Sequence, residues 1–221
     1  VLNFKKRKFN FKIPKSFSEE GNYIYYRIKN RKSCYMKKIE PTKDFYYWLG
    51  LVFGDGHFRN AGIRFYNTSK YLRDVFRDIS VKVFGDKLEI IEVFDKCPYV
   101  EIRKGTTIIK FLEENIVHKI QGKKSYTIDV PEELFFSDVK KISGFIRGIY
   151  ETDGSTYESC IEISSMSKNL LIKLRYLLLK FKIHSRIIKN RLMISGSNNL
   201  KKFNKYIKKI PNKLSMLFLR E

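Results

Sequence analysis

Two ten-residue stretches about a hundred positions apart constrain this chain more than any other feature. They are Trp48-Leu49-Gly50-Leu51-Val52-Phe53-Gly54-Asp55-Gly56-His57 and Ile146-Arg147-Gly148-Ile149-Tyr150-Glu151-Thr152-Asp153-Gly154-Ser155. Each is an apolar run with an internal glycine that ends in Asp-Gly, and apolar or aromatic residues precede both, so each reads as a buried helix. Glycine inside a helix costs roughly 1 kcal/mol relative to alanine. Its presence at the same relative place twice, at Gly50 and Gly148, points to a close approach of two helix backbones that a Cβ would block. Gly56 and Gly154 suit the left-handed residue that ends a helix. Helices packed in this way bring Asp55 and Asp153 out together at one end. Two adjoining carboxylates must share a proton or find a cation, and a pair of hard divalent ions suits them.

The stretches WLGLVFGDG and IRGIYETDG resemble the two signature helices of single-chain LAGLIDADG homing endonucleases. Position by position, the eighth residue of each is the family's acidic metal ligand, here Asp55 and Asp153. The third is its packing glycine, here Gly50 and Gly148. Phe53 departs from the acid usual at the sixth position, which is not a ligand position. The resemblance implies an α+β fold of tandem αββαββα units. Their two antiparallel four-stranded sheets would form a DNA-binding saddle, pseudo-twofold about the paired helices. It also implies a monomer, needing no protein partner, that cuts both strands of a long asymmetric double-stranded DNA target in intron homing. Two or three divalent ions (Mg2+, with Ca2+ or Mn2+ as substitutes) would sit at Asp55 and Asp153, with Gly54 and Thr152 as further ligands.

Size and charge agree with that expectation. A chain of 221 residues suits one sizeable domain or two small fused ones, and 43% hydrophobic residues can build a core. A net charge of +22 attracts polyanions, with nucleic acid ahead of anionic membrane. No run approaches the ~20 apolar residues of a membrane span, and no secretory signal is visible. Cys34, Cys97 and Cys160 form no CxxC pair and read as reduced thiols. An intracellular protein is expected, in an archaeal cytoplasm or an organelle.

Three segments follow in order. Residues 1–41 form a basic, aromatic extension: its first forty residues hold twelve Lys/Arg against three Glu. They read as a surface arm or as an extra contact to the DNA backbone. Residues 42–135 are the first half-domain. There a hairpin turns at Asn60-Ala61-Gly62, Ser69 caps a helix that Gly85 stops, and two strands and a last helix over 106–120 follow. Residues 136–221 repeat that order. Ser-Lys-x-Leu falls fourteen positions after each acid, at Ser69 and Ser167, and IQGKKS at 120–125 matches IPNKLS at 210–215. The period is too long for a solenoid, so the chain reads as a duplication.

Strand alternation sorts the side chains. Ile63 and Phe65, and Val100 and Ile102, point inward; Arg64 and Tyr66, and Tyr99, Glu101 and Arg103, point outward. In the second half Ile161, Ile163, Leu192 and Ile194 oppose Glu162, Ser164, Arg191 and Met193. A sheet with one solvated face would alternate without any ligand, but the net charge favours DNA readout. A two-stranded ribbon fits the major groove, where arginine reads guanine. His57, Arg59, Tyr157, Arg186 and Lys189 complete the expected DNA-contacting set.

Supporting groups come from the same resemblance. Asn67 and Ser165, twelve residues after the acids, resemble the family's polar residue that orders solvent near the metal. Lys123 and Lys213 resemble its basic residue, which stabilises transition-state charge. No P-loop, dinucleotide fingerprint or HExxH is present, and His57, His118 and His184 form no ligand spacing. An RNA-binding intron maturase or a non-cleaving DNA-binding protein of the same fold is the alternative. An intein is disfavoured, because no splicing-domain residues frame the motifs.

Overall fold

The computed structural model describes residues 10–28, 31–59, 62–116 and 124–208. A small sheet comes first: β1 (Phe17–Glu20), β2 (Tyr23–Ile28), β3 (Arg31–Lys32) and β4 (Met36–Lys37). The first repeat is α1 (Lys43–Asp55), β5 (Gly56–Arg59), β6 (Gly62–Tyr66), α2 (Lys70–Phe84), β7 (Ile90–Val93), β8 (Tyr99–Arg103) and α3 (Thr106–Asn115). A short helix α4 (Lys124–Thr127) and a 3-10 turn at Glu132–Phe136 lead into the second. That repeat is α5 (Val139–Asp153), β9 (Gly154–Thr156), β10 (Cys160–Ser164), α6 (Lys168–Leu179), β11 (Arg186–Ile188), β12 (Arg191–Ser195) and α7 (Ser197–Tyr206). Both repeats run α-β-β-α-β-β-α. Their sheets share one antiparallel order, β5-β6-β8-β7 and β9-β10-β12-β11.

Helices α1 and α5 lie against each other through glycine. A Cβ on Gly50 would fall 2.9 Å from the Cα of Gly148 and collide with the Phe145 carbonyl; one on Gly148 would fall 2.8 Å from the Cα of Gly50. Gly144 lies equally close to the backbone of Lys43, at 2.5 Å from its carbonyl oxygen for such a Cβ. Around this seam Phe45, Trp48, Leu49, Leu51, Val52, Phe145, Ile146 and Ile149 are fully buried. The helix starts are fixed by side-chain caps. Thr42 accepts from Phe45 N at 3.2 Å, and Asp138 from Lys140 N at 2.9 Å and Lys141 N at 3.0 Å. Ser69 and Ser167 accept from Leu72 N and Leu170 N at corresponding places.

The segment joining the repeats is fastened to the second. Ser167 Oγ donates to the Ile128 carbonyl at 2.7 Å, Lys173 pairs with Asp129 at 2.5 Å, and the Lys180 amine donates to the Phe135 carbonyl. Tyr46 of α1 reaches it from the first repeat, donating to Glu133 at 3.2 Å.

Two expectations change. Gly56 and Gly154 are not left-handed: their φ values are −78° and −101°, with ψ near 150°. Each is the first residue of a strand that leaves the helix at once, so the chain needs extended backbone there. Glycine is required for room, since a Cβ on Gly56 would strike the Val52 side chain at 2.6 Å and one on Gly154 the Tyr150 ring. The N-terminal stretch, from residue 10, is not a surface arm. Ile24 and Met36 are fully buried in the common core, and Phe11 packs edge-on against Phe45 at 4.9 Å and Phe111 at 5.3 Å. The last helix of the first repeat is described to Asn115, and Asn60 and Ala61 of the expected turn lie outside the described residues.

Candidate functional site

Asp55 and Asp153 are the last residues of α1 and α5, and both are half-buried. The seam carries the two ends together: a Cβ on Gly54 would lie 3.2 Å from Asp153 Oδ2 and 2.5 Å from Thr152 Cβ. The carboxylate of one repeat therefore sits beside the residue preceding the acid of the other. A hollow of about 420 Å³ opens there, lined by Phe53, Gly54, Asp153, Ser165, Asn190 and Arg191 among others.

The polar residue next to each acid is placed by the same turn in both repeats. Asn67 donates from Nδ2 to Asp55 Oδ2 at 2.6 Å, and its Oδ1 accepts from Ser69 N at 2.8 Å. Ser165 Oγ accepts from Ser167 N at 3.1 Å and lines the hollow that holds Asp153. Arg73, buried behind the first of these turns, donates to the carbonyls of Asn67 (2.8 Å) and Thr68 (3.0 Å) and pairs with Glu92 at 2.9 Å. Sequence reasoning missed Arg73. A charged residue at a buried helix position was the available signal.

Oxygen donors at the foot of two helices suit a hard divalent ion. Among the described residues no cluster of three or more His, Cys, Asp or Glu side chains is present. An ion here would take Asp55 and Asp153 and draw its remaining ligands from backbone, water or a substrate phosphate. Thr152 could offer only its carbonyl. Its hydroxyl is turned back onto its own helix, donating to the carbonyls of Gly148 (3.1 Å) and Ile149 (3.0 Å). Lys123 and Lys213 lie outside the described residues, as does His118.

The open faces of the two long sheets flank this site. In the first, His57 pairs across from Arg64, and Arg64 from Glu101. Arg64 Nε meets Glu101 Oε2 at 3.0 Å, its Nη1 donates to Tyr66 OH at 3.3 Å, and its guanidinium lies 4.6 Å from the centre of the Tyr99 ring. Hydrogen bonds to Tyr66 and Glu101 raise its pKa further. His57, Arg59 and Arg103 are exposed and edge a shallow hollow at the far end of the sheet, with Lys104 and Glu89. In the second sheet Glu162 is pinned by Arg191 at 3.3 Å and by the Ser164 hydroxyl at 3.2 Å. It is buried beneath Arg191 where an exposed carboxylate was expected. Arg186 and Lys189 are exposed on the outer hairpin, and Tyr157 on the turn between β9 and β10.

Comparison with known proteins agrees with this architecture. Residues 140–208 match the family model described as a LAGLIDADG-like domain. The chain is 31% identical over 176 residues to the probable translation initiation factor IF-2 of Thermococcus kodakarensis, covering 76% of this chain and 14% of that protein. It is 30% identical over 171 residues to the replication factor C small subunit of Methanocaldococcus jannaschii, covering 71% of this chain and 9% of that protein. The chain thus spans a small part of these relatives. Among solved structures, I-DmoI in complex with DNA and Mn superposes with a TM-score of 0.57 at 15% identity, over 78% of this chain and 99% of that one. Full-length DUF199/WhiA from Thermatoga maritima gives 0.57 at 19% identity, over 81% of this chain and 59% of that one. A different structure of I-DmoI is described as a homing endonuclease. The chain has the LAGLIDADG fold, and its second repeat carries a LAGLIDADG-like domain.

Proposed function

We propose that the chain is a site-specific endonuclease of double-stranded DNA, using divalent ions at Asp55 and Asp153 to cut one phosphodiester on each strand. The observation that carries this reading is the glycine seam, which delivers two carboxylates to one floor between two polar sheet faces. Bound divalent ions would neutralise phosphate charge and activate water. The chain's part is to hold them with the two aspartates, to fix the Asp55 carboxylate through Asn67, and to align the duplex along the sheets. Arg64, Tyr66, Tyr99, Glu101 and Arg103 would meet base edges or phosphates on one side, with Ser164, Arg186, Lys189 and Arg191 on the other, where buried Glu162 braces Arg191. Lys123 and Lys213 are assigned the stabilisation of transition-state charge. The boundaries at 41/42 and 135/136 separate the extension and the two DNA-binding halves in this reading, which needs one copy of the chain.

Segments similar to this chain occur within proteins of unrelated name, an initiation factor and a replication factor subunit among them. This supports a module that moves between coding sequences, as homing would require. The second reading is a non-cleaving DNA-binding protein of the same fold; DUF199/WhiA, which is not described as an endonuclease, superposes as well as I-DmoI.

Asp55→Asn and Asp153→Asn separate the two. A nuclease loses double-strand cutting of a randomised duplex library in Mg2+ and still binds it; undiminished cutting by either variant overturns the assignment.

A further inference from the structure

The N-terminal sheet stands where it can lengthen the nucleic-acid track. Asp55 ends α1 just before β5, and the chain then runs outward to Arg59 and returns from Gly62, which pairs with Arg103. Arg59, Gly62 and Arg103 thus mark the end of the first sheet farthest along the strands from the acids. The N-terminal sheet is seated on that end. Cys34 N donates to the Lys104 carbonyl at 2.8 Å, Ser33 Oγ donates to the same oxygen, and Thr107 Oγ1 links Tyr26 N (3.0 Å) to the Cys34 carbonyl (2.6 Å). Tyr23 and Lys37 close over Gly85 at the far end of α2.

Cations on this seat outnumber the acids Asp86 and Glu89 that stand among them. Arg103 and Lys104 have side chains 52% and 66% exposed, and each pairs with Glu89, at 3.3 Å and 2.8 Å. Next to them Lys87 lies 4.4 Å from the centre of the Tyr23 ring and 5.1 Å from that of Tyr35, and Arg27 and Lys37 are exposed on the sheet itself. Cation–π contacts hold Lys87 in place while leaving its charge available. Among the described residues the second repeat has no equivalent sheet; the chain enters α5 from a 3-10 turn.

We propose that the N-terminal sheet is a second duplex-DNA surface, gripping phosphates beyond the outer hairpin of the first repeat, so that the footprint extends farther on that side. This rests on the DNA-binding reading above. The contacts are cationic and sequence-independent, and they set register on the duplex.

The test is the salt dependence of binding to a labelled random-sequence duplex, for wild type and for Arg27→Gln/Lys37→Gln/Lys87→Gln. All three side chains are exposed, so folding should survive, which a melting curve checks. Removing one phosphate-neutralising cation lowers the slope of log K against log salt by about 0.9, so the triple variant should fall by about 2 to 3. Hydrogen exchange of residues 23–37 should also slow when duplex is added to wild type. An unchanged slope, or no slowing there while the β6–β8 strands are protected, overturns the proposal and leaves the DNA-binding reading intact. Absence of wild-type binding at low salt overturns both.

Discussion

Asn67 and Asp55 form a 2.6 Å hydrogen bond in the first repeat, and Ser165 stands at the equivalent place in the second, lining the same hollow as Asp153. Asn67 anchors its oxygen on Ser69 N and spends its amide on the carboxylate, so one side chain spans from turn to acid. Ser165 uses its hydroxyl oxygen on Ser167 N. Serine is shorter than asparagine and has a single donor hydrogen. The first carboxylate is held by an asparagine amide where the second repeat has a serine at the equivalent position.

On the proposed nuclease reading, the two strands should be cut at unequal rates. Asn67→Ala should slow the strand served by Asp55 by about 10- to 100-fold, the usual effect of losing a partner behind a metal ligand. Asn67→Ser, which copies the second repeat, should bring the two strands closer in rate. End-labelling each strand separately and following nicks over time reads both. Equal loss on both strands would point to a global defect.

The seam sets a limit on helix substitution. By propensity alone Gly50→Ala or Gly148→Ala would gain about 1 kcal/mol. Here each added methyl meets backbone of the partner helix, which cannot rotate away. Overpacking of that kind should cost about 3 kcal/mol, read as a lower urea midpoint with an unchanged m-value. Gly21, at φ 59° with no atom within 4 Å of a Cβ position, offers no such clash.

What was legible in the sequence follows from where the constraints lie. Gly50 and Gly148 are costly inside a helix, so their duplication could be read directly as a packing seam. The Ser69 and Ser167 caps were readable because capping is local. The end glycines misled, since a glycine after a helix usually marks a left-handed turn. At Gly56 and Gly154 the next strand begins immediately, and only the Val52 and Tyr150 contacts require the missing Cβ. The N-terminal sheet was hidden by its lysines and arginines. Its signal was Gly21-Asn22 between FSEE and YIYYRI, a hairpin pattern that the structure realises with Gly21 at positive φ.

Glu133 gives the fold a pH dependence. Burial beside the Tyr46 hydroxyl pushes its carboxyl up from 4.5 to about 7, and neighbouring Glu132 acts in the same direction. Tyr46 is itself pushed up, by burial and then by Glu133 and Asp138. An acid whose folded pKa is raised stabilises the fold when protonated. That contribution is complete below about pH 4.5 and is lost as pH rises through 7. Glu133→Gln, which keeps an acceptor for Tyr46, should gain on the order of 2 kcal/mol at pH 8 relative to wild type and little at pH 4.5. Denaturation at the two pH values measures it; an equal effect at both would exclude ionisation as the cause.

Finally, the two open sheet faces differ in the sign of the residue at one equivalent place. Arg64 and Glu162 each stand nine residues after their acid, in the middle of β6 and β10, opposite His57 and Ser155 respectively. Arg64 is braced by Glu101 from β8, and Glu162 by Arg191 from β12, so donor and acceptor roles are exchanged between the repeats. A guanidinium reads guanine through N7 and O6. Arg64 offers one at this place in the first repeat, whereas Glu162 is buried beneath Arg191 and the second repeat presents Arg191, from the neighbouring strand, instead. The preferred target should therefore depart from palindromy at the base pairs these residues face. Arg64→Ala should cost about 1 to 3 kcal/mol of discrimination at one position in one half-site, leaving the other half-site unchanged. Sequencing the products of a cleavage selection on a randomised duplex gives both base profiles. A symmetric profile, or relaxation in both halves at once, would refute the exchange of roles between Arg64 and Glu162.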